Sequence, residues 1–196
     1  MSKNIVLVSN NAGKIKEVKS IVEPLGYKVL SLKDLKINAD IIEDGYSFEE
    51  NALIKARYLK ADYDIIIADD SGLEIYGLDM QPGIYSARFL GSDLDYKLKN
   101  QKVIEMLKDK ADKRARFVSV IALIYKGKEV TFRGEVMGEI TDQIYGEGGF
   151  GYDPIFRPKG YSQTFGQLDD KLKNKISHRA VALKKLERYL LDEEKY

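Results

Sequence analysis

The chain has 196 residues, 44% of them hydrophobic and 32% charged, which is the balance of a globular domain with enough length to bury a large core. Its 32 lysines and arginines offset 31 aspartates and glutamates, which argues against a protein that coats nucleic acid. It contains no cysteine, which excludes a disulfide framework, a thiolate zinc site and a thiol nucleophile. No apolar run approaches the roughly 20 residues of a membrane span, and no signal pattern opens the chain, so a cytoplasmic protein with no membrane partner is expected.

Residues 4–8 read as a buried strand, and residues 13–22 place Ile15, Val18, Ile21 and Val22 on one face of a helix. Gly26 breaks the chain before a short strand at Tyr27–Leu30. Ser47 followed by Glu50 is a capping-box pattern that opens a helix over 47–60, with Leu53, Ala56, Tyr58 and Leu59 toward the core and Lys55 projecting elsewhere. The run Ile65-Ile66-Ile67-Ala68 reads as a central strand buried on both faces. Residues 93–108 are helical in pattern, through Leu94, Leu98, Val103, Ile104 and Leu107. Residues 116–125 and 129–136 read as strands paired across Lys126-Gly127-Lys128. A closing helix over 177–191 turns Leu183, Leu186, Tyr189 and Leu190 inward. Alternating strands and helices, followed by a hairpin, predict an α/β fold with a mixed sheet in a single domain spanning 1–196.

Four stretches carry chemistry. The first is SNNAGK, residues 9–14, between the first strand and the first helix. It is not a Walker loop: Val8 stands where the first glycine belongs, and Ile15 where the magnesium-binding hydroxyl belongs. Ser9, Asn11 and Lys14 can still hold phosphate beside a helix N-terminus, and Ser9 or Asn11 can equally serve as the helix cap. The second is ADDSG, residues 68–72, with two carboxylates at the C-terminal end of a buried strand, where open α/β sheets bind ligands. Adjacent Asp69 and Asp70 call for a nearby cation; magnesium suits them, with Glu43 or Asp44 as a further oxygen. Asp-Asp-Ser-Gly is also good turn chemistry. The third is GEGGFGYDPIF, residues 146–156, whose glycines allow close backbone approach and whose Phe150 is able to stack on a flat ring. The fourth is KNKISHRAVAL, residues 173–183, with the only histidine, His178, beside Arg179 at a helix start. Cations and a helix N-terminus around His178 favour a neutral imidazole, suited to reading a base edge.

In this order and at this spacing, SNNAGKIKE, SFEENALIKA, ADDSGLE, PGIYSARF, GGFGYDPIF and KISHRAVAL resemble the inosine triphosphate pyrophosphatase family over nearly the whole chain. The resemblance implies an elongated mixed sheet flanked by helices, in two lobes with a central nucleotide-binding cleft. It implies that Ser9, Asn11, Lys14 and Lys55 hold the triphosphate, with Ser71 nearby. Glu43, Asp69 and Asp70 would bind magnesium, and Asp70 would activate the water. Phe150 would stack on the base, and Asp153, Lys173 (or Lys175), Ser177, His178 and Arg179 would line its pocket. The implied reaction turns ITP, dITP or XTP into a monophosphate and pyrophosphate, in a homodimer that cleanses the nucleotide pool. Two other readings compete: a Maf-type nucleotide pyrophosphatase with another base preference, and a nucleotide-binding module without catalysis.

Overall fold

A computed structural model describes residues 3–59, 63–91 and 93–193. Its six-stranded sheet has the order β2-β1-β3-β4-β5-β6. The strands are β1 (Lys3–Val8), β2 (Tyr27–Ser31), β3 (Ile65–Ile75), β4 (Arg114–Tyr125), β5 (Lys128–Ile140) and β6 (Phe156–Pro158). The helices are α1 (Ala12–Val22), α2 (Phe48–Arg57), α3 (Tyr96–Met106), α4 (Asp170–Ile176) and α5 (His178–Glu193). β1 runs parallel to β2 and β3, whereas β5 and β6 are antiparallel, so the sheet is mixed as expected. Lys126 and Gly127 both take positive φ, 49° and 75°, the backbone that a two-residue hairpin needs between β4 and β5.

The chain packs into two compact units. The first comprises residues 1–70, 119–134 and 179–196; the second comprises 71–118 and 135–178. The boundaries fall inside β3, β4 and β5 and after the first residue of α5. In the first unit, Ile5 and Leu7 of β1 and Ile65 and Ile67 of β3 pack with Val18 and Val22 of α1 and Leu183, Leu186 and Leu190 of α5. In the second, Leu73 and Ile75 share a core with Val103, Leu107, Phe117, Phe156 and Phe165.

Several elements differ from their expected bounds. α2 ends at Arg57, and Lys60, the last residue of the longer expected helix, lies outside the described residues. Tyr58 is exposed, and the core face of α2 is Ala52 and Ala56, with Lys55 buried beside them. β3 runs past Ala68 to Ile75, so Asp69, Asp70 and Ser71 are strand residues and not a turn. α4 and the three-residue β6 were not anticipated, because neither offers enough apolar positions to establish a period.

Candidate functional site

Strand alternation decides where the two aspartates go. Residues i, i+2 and i+4 share a face, so Asp69 follows Ile65 and Ile67 toward α1 and α5, while Asp70 faces the other way. The adjacent carboxylates therefore do not confront each other; each has its own partners.

Asp69 is 1% exposed and is saturated with donors. Its Oδ1 accepts from Lys14 Nζ at 2.7 Å and Arg179 Nη2 at 3.3 Å. Its Oδ2 accepts from Ser119 Oγ at 2.7 Å and Arg179 Nε at 3.0 Å. Two donors on each oxygen use the in-plane capacity of a carboxylate. Burial alone would raise the Asp69 carboxyl, but the Arg179 and Lys14 cations hold it well below the usual carboxylate range. Asp69 is thus a carboxylate held by two protein cations and a hydroxyl.

Asp70 is 5% exposed and differently placed. Its Oδ1 accepts from Lys55 Nζ at 2.7 Å, and the same ammonium lies 2.9 Å from Glu43 Oε2. Oδ2 of Asp70 is buried and accepts no hydrogen bond. Burial pushes the carboxyl up to about 6; Lys55 and Lys14 oppose this, and Glu43 adds to it. Lys55 is raised despite its burial, because Asp70 and Glu43 favour its charged form. Glu43 is lowered, with Lys55 outweighing the cost of its partial burial. Asp44 is exposed, so Glu43 is the acid that reaches the cluster.

The loop carrying Glu43 is latched to α2. Asn51 Oδ1 accepts from Gly45 N at 2.9 Å, and Glu50 Oε2 accepts from Tyr46 N at 2.6 Å. A Cβ on Gly45 would lie 2.8 Å from both Asn51 Oδ1 and Glu50 Cβ, so only glycine fits that approach. Ser47 caps the helix as expected, its Oγ accepting from Glu50 N. Asn51 and Lys55 are one turn apart on α2, which puts both on its buried face.

In the opening loop, Asn11 is the cap of α1, accepting from Lys14 N at 3.0 Å, and Ser9 Oγ accepts from Asn11 N at 3.2 Å. Lys14 is turned inward to Asp69, and burial lowers its ammonium. No group of three or more His, Asp or Glu side chains among the described residues forms a metal cage by itself. Asp70 with its buried, unbonded Oδ2, next to Glu43, fits a metal held by two carboxylates that completes its shell with water and substrate oxygens, the habit of magnesium.

The second unit gathers the other expected residues. Asp153 Oδ2 accepts from Phe150 N at 2.7 Å and pairs with Lys173 Nζ at 2.6 Å. The Lys173 ammonium sits 4.8 Å from the Phe150 ring centroid, within cation–π range. Gly149 takes φ of 70°, and a Cβ there would fall 2.2 Å from Asp153 Oδ2, so this glycine is required. Lys173 is buried and Lys175 exposed, which selects Lys173 of the two. The His178 ring stacks on Phe117 at 4.6 Å and 10°. Ser177 is buried as the C-terminal cap of α4, its N–H donating to Lys173 O. Ser71, next to Asp70 on β3, is half-buried.

Arg179 is wholly buried in the first unit, and its Nη1 donates to Glu17 of α1 while Nε and Nη2 hold Asp69. Consecutive helical residues point about 100° apart, so the backbone that turns His178 one way turns Arg179 another. Glu17 and Ser119 are not among the residues expected from the motifs. Both left a signal: Glu17 lies one turn after Lys14, and Ser119 interrupts the apolar run of β4.

The Ham1 family pattern matches residues 5–189. The chain belongs to the Ham1 family. Its Ham1 relatives include the dITP/XTP pyrophosphatase of Bacillus subtilis, 45% identical over 192 residues, covering 96% of this chain and 97% of that one. The dITP/XTP pyrophosphatase of Christiangramia forsetii is 43% identical, with 95% and 98% covered. Among solved structures, the Staphylococcus aureus Ham1 protein superposes with a TM-score of 0.86 at 42% identity, covering 97% of this chain and all of that one. The HAM1 protein of Coxiella burnetii gives 0.87 at 38% identity, covering 97% and 99%. The Ham1 assignment agrees with the family expected from the motifs.

Proposed function

We propose that this protein hydrolyses the non-canonical purine nucleoside triphosphates ITP, dITP and XTP to the monophosphate and pyrophosphate, and so cleanses the nucleotide pool. The names of its full-length relatives support the substrate class. The observation that carries the chemistry is the Lys55-linked pair of Asp70 and Glu43, in which one buried carboxylate oxygen is left unbonded.

Asp70 takes a proton from water, which attacks the α-phosphorus; the bond to the α–β bridging oxygen breaks, and pyrophosphate leaves. Burial makes the Asp70 carboxylate more basic than an ordinary carboxylate, which suits it to accept that proton. Lys55 and Lys14 neutralise charge developing on the phosphates, and Ser9, Asn11 and Ser71 donate from the loop and strand beside them. Asp70 and Glu43 would hold magnesium, which when bound supplies further charge neutralisation on the triphosphate. The base stacks on Phe150, and Lys173 and His178 offer donors to a 6-keto oxygen. Adenine presents an amino group there, which donors cannot satisfy, and a mismatch of this kind discriminates by up to about 10⁴-fold.

We further propose a cytoplasmic homodimer; light scattering that returns a monomer would defeat the second part. No helix among the described residues is long and apolar enough to cross a membrane. The decisive assay incubates the protein with magnesium and ITP, XTP, GTP, ATP or UTP and resolves the products. IMP with pyrophosphate, and ATP nearly untouched, is the expected result. IDP with phosphate would refute the site of attack. Turnover of UTP or dTTP without ITP would favour a Maf-type preference, and binding without turnover would favour a non-catalytic module.

A further inference from the structure

Phe150 stands between two glycines in the left-handed region, Gly149 at φ 70° and Gly151 at φ 65°. Glycine has more backbone freedom than any other residue, so these two neighbours by themselves would let the ring swing. Two side chains oppose this. On one side, Asp153 Oδ2 accepts from Phe150 N at 2.7 Å. On the other, Asn100 Nδ2 donates to Gly151 O at 3.1 Å. Asp153 is three residues further along the same loop, so its bond closes the turn on itself. Asn100 comes from α3, 51 residues away in sequence, and ties the turn to a helix.

α3 is itself anchored around this tie. Lys99 Nζ donates to Ala87 O at 2.7 Å. Tyr96, one turn before Asn100, packs edge-on against Tyr152 with ring centroids 5.4 Å apart, and the Tyr152 hydroxyl donates to Ser86 O at 2.9 Å. An amide is a costly choice at such a place. Asn100 is 2% exposed, and its Oδ1 accepts no hydrogen bond. An apolar side chain would avoid stripping that oxygen of water, so packing alone does not account for asparagine here. What the amide supplies, and a hydrocarbon cannot, is a donor to the Gly151 carbonyl. We propose that Asn100 is a positioning residue for base binding, which acts through Gly151 to hold the Phe150 ring in the orientation that meets the base. The proposal rests on the proposed function in taking Phe150 as the surface on which the base stacks. All the groups it uses lie in the second unit. Stacking holds substrate and transition state alike, so its loss appears in KM and not in kcat.

The test uses Asn100→Leu, which keeps a branched side chain and removes the donor. It is made in the parent and in Phe150→Trp; the chain has no other tryptophan, so time-resolved anisotropy reads the motion of that one indole. Kinetics with ITP give kcat and KM, and calorimetry with magnesium present gives the affinities for inosine and for inorganic tripolyphosphate. With Asn100→Leu, the KM for ITP and the Kd for inosine rise about tenfold, while kcat and the Kd for tripolyphosphate stay within about twofold. The indole moves through a wider angle. An unchanged indole motion or an unchanged inosine affinity, in a folded variant, would overturn the proposal and leave Asn100 a brace of α3 alone. Equal losses of inosine and tripolyphosphate affinity would overturn it too, as the mark of a general loosening. If Asn100→Leu does not fold, Asn100→Ser, too short to reach Gly151, decides between the same outcomes. A parent protein that hydrolyses no nucleotide defeats the proposed function, and the indole motion with and without Asn100→Leu still decides whether Asn100 holds the ring.

Discussion

Asp70→Asn separates the chemical role of this carboxylate from its structural cost. The side chain keeps its shape and still accepts from Lys55, so the fold is preserved. The charge is lost, and with it the general base, so turnover of ITP falls by roughly 10²–10⁴-fold while nucleotide binding persists. Stability moves the other way. Burial raises the carboxyl from 3.8 to about 6, so the folded protein holds that proton more tightly than the unfolded chain does. Below about pH 4 both states are protonated and nothing is lost. Between about pH 4 and 6 the unfolded state ionises first, and stability falls as pH rises; above about 6 the loss is constant. A carboxyl raised this far corresponds to a loss of about 3 kcal/mol. Asparagine has no such dependence. Urea unfolding of both proteins at several pH values from about 4 to 8 therefore reads the effect as a difference, in which titrations remote from the Asp70, Glu43 and Lys55 group cancel. The stability of Asp70→Asn relative to the parent grows across that window by up to about 3 kcal/mol. A difference independent of pH would refute the burial argument, and unchanged turnover would remove Asp70 from the mechanism.

Lys55→Met leaves Asp70 and Glu43 facing each other without their shared cation, so the Asp70 titration moves above 6, followed by carbon NMR of the carboxyl in metal-free protein. Gly45→Ala forces a Cβ into Asn51 and Glu50 and costs about 1–3 kcal/mol in urea unfolding; the displaced Glu43 also weakens magnesium binding, read by calorimetry without substrate. Lys173→Met leaves Asp153 buried without its cation and removes a donor beside Phe150, so the preference for ITP over ATP falls by about tenfold or more in competition assays.

Much of this protein is written locally. The first helix, its cap at Asn11, the capping residue Ser47 and the turn at Lys126-Gly127 follow from short-range rules of periodicity and turn chemistry. The buried strand at Ile65 was legible too, but its end was not, because Asp-Asp-Ser-Gly satisfies a turn as well as it satisfies a strand edge. Only partners far along the chain choose between them. Lys14, Lys55, Ser119 and Arg179 supply the donors that let two aspartates stay inside β3. The same long-range pairing hid Glu17, whose partner lies 162 residues away.

Neighbours in sequence are also divided between tasks. Asp69 and Asp70 are adjacent, yet the pleat gives one to Arg179 and the other to Lys55. His178 and Arg179 are adjacent, yet the helix gives one to Phe117 and the other to Asp69. Reading each motif as one cluster assigns both members the same ligand. The alternation of a strand and the turn of a helix instead give the two members different protein partners. In ADDSG the unbonded oxygen belongs to Asp70, while Asp69 spends its four acceptor positions on protein donors. Asp69→Asn is therefore unlike Asp70→Asn. It puts an amide where Arg179, Lys14 and Ser119 all donate, and leaves two buried cations with half their counter-charge. Unfolding in urea should show a loss of about 3–5 kcal/mol, the cost of breaking a buried pair, where Asp70→Asn shows a gain. Equal stability changes for the two variants would mean that the adjacent carboxylates act as one group after all.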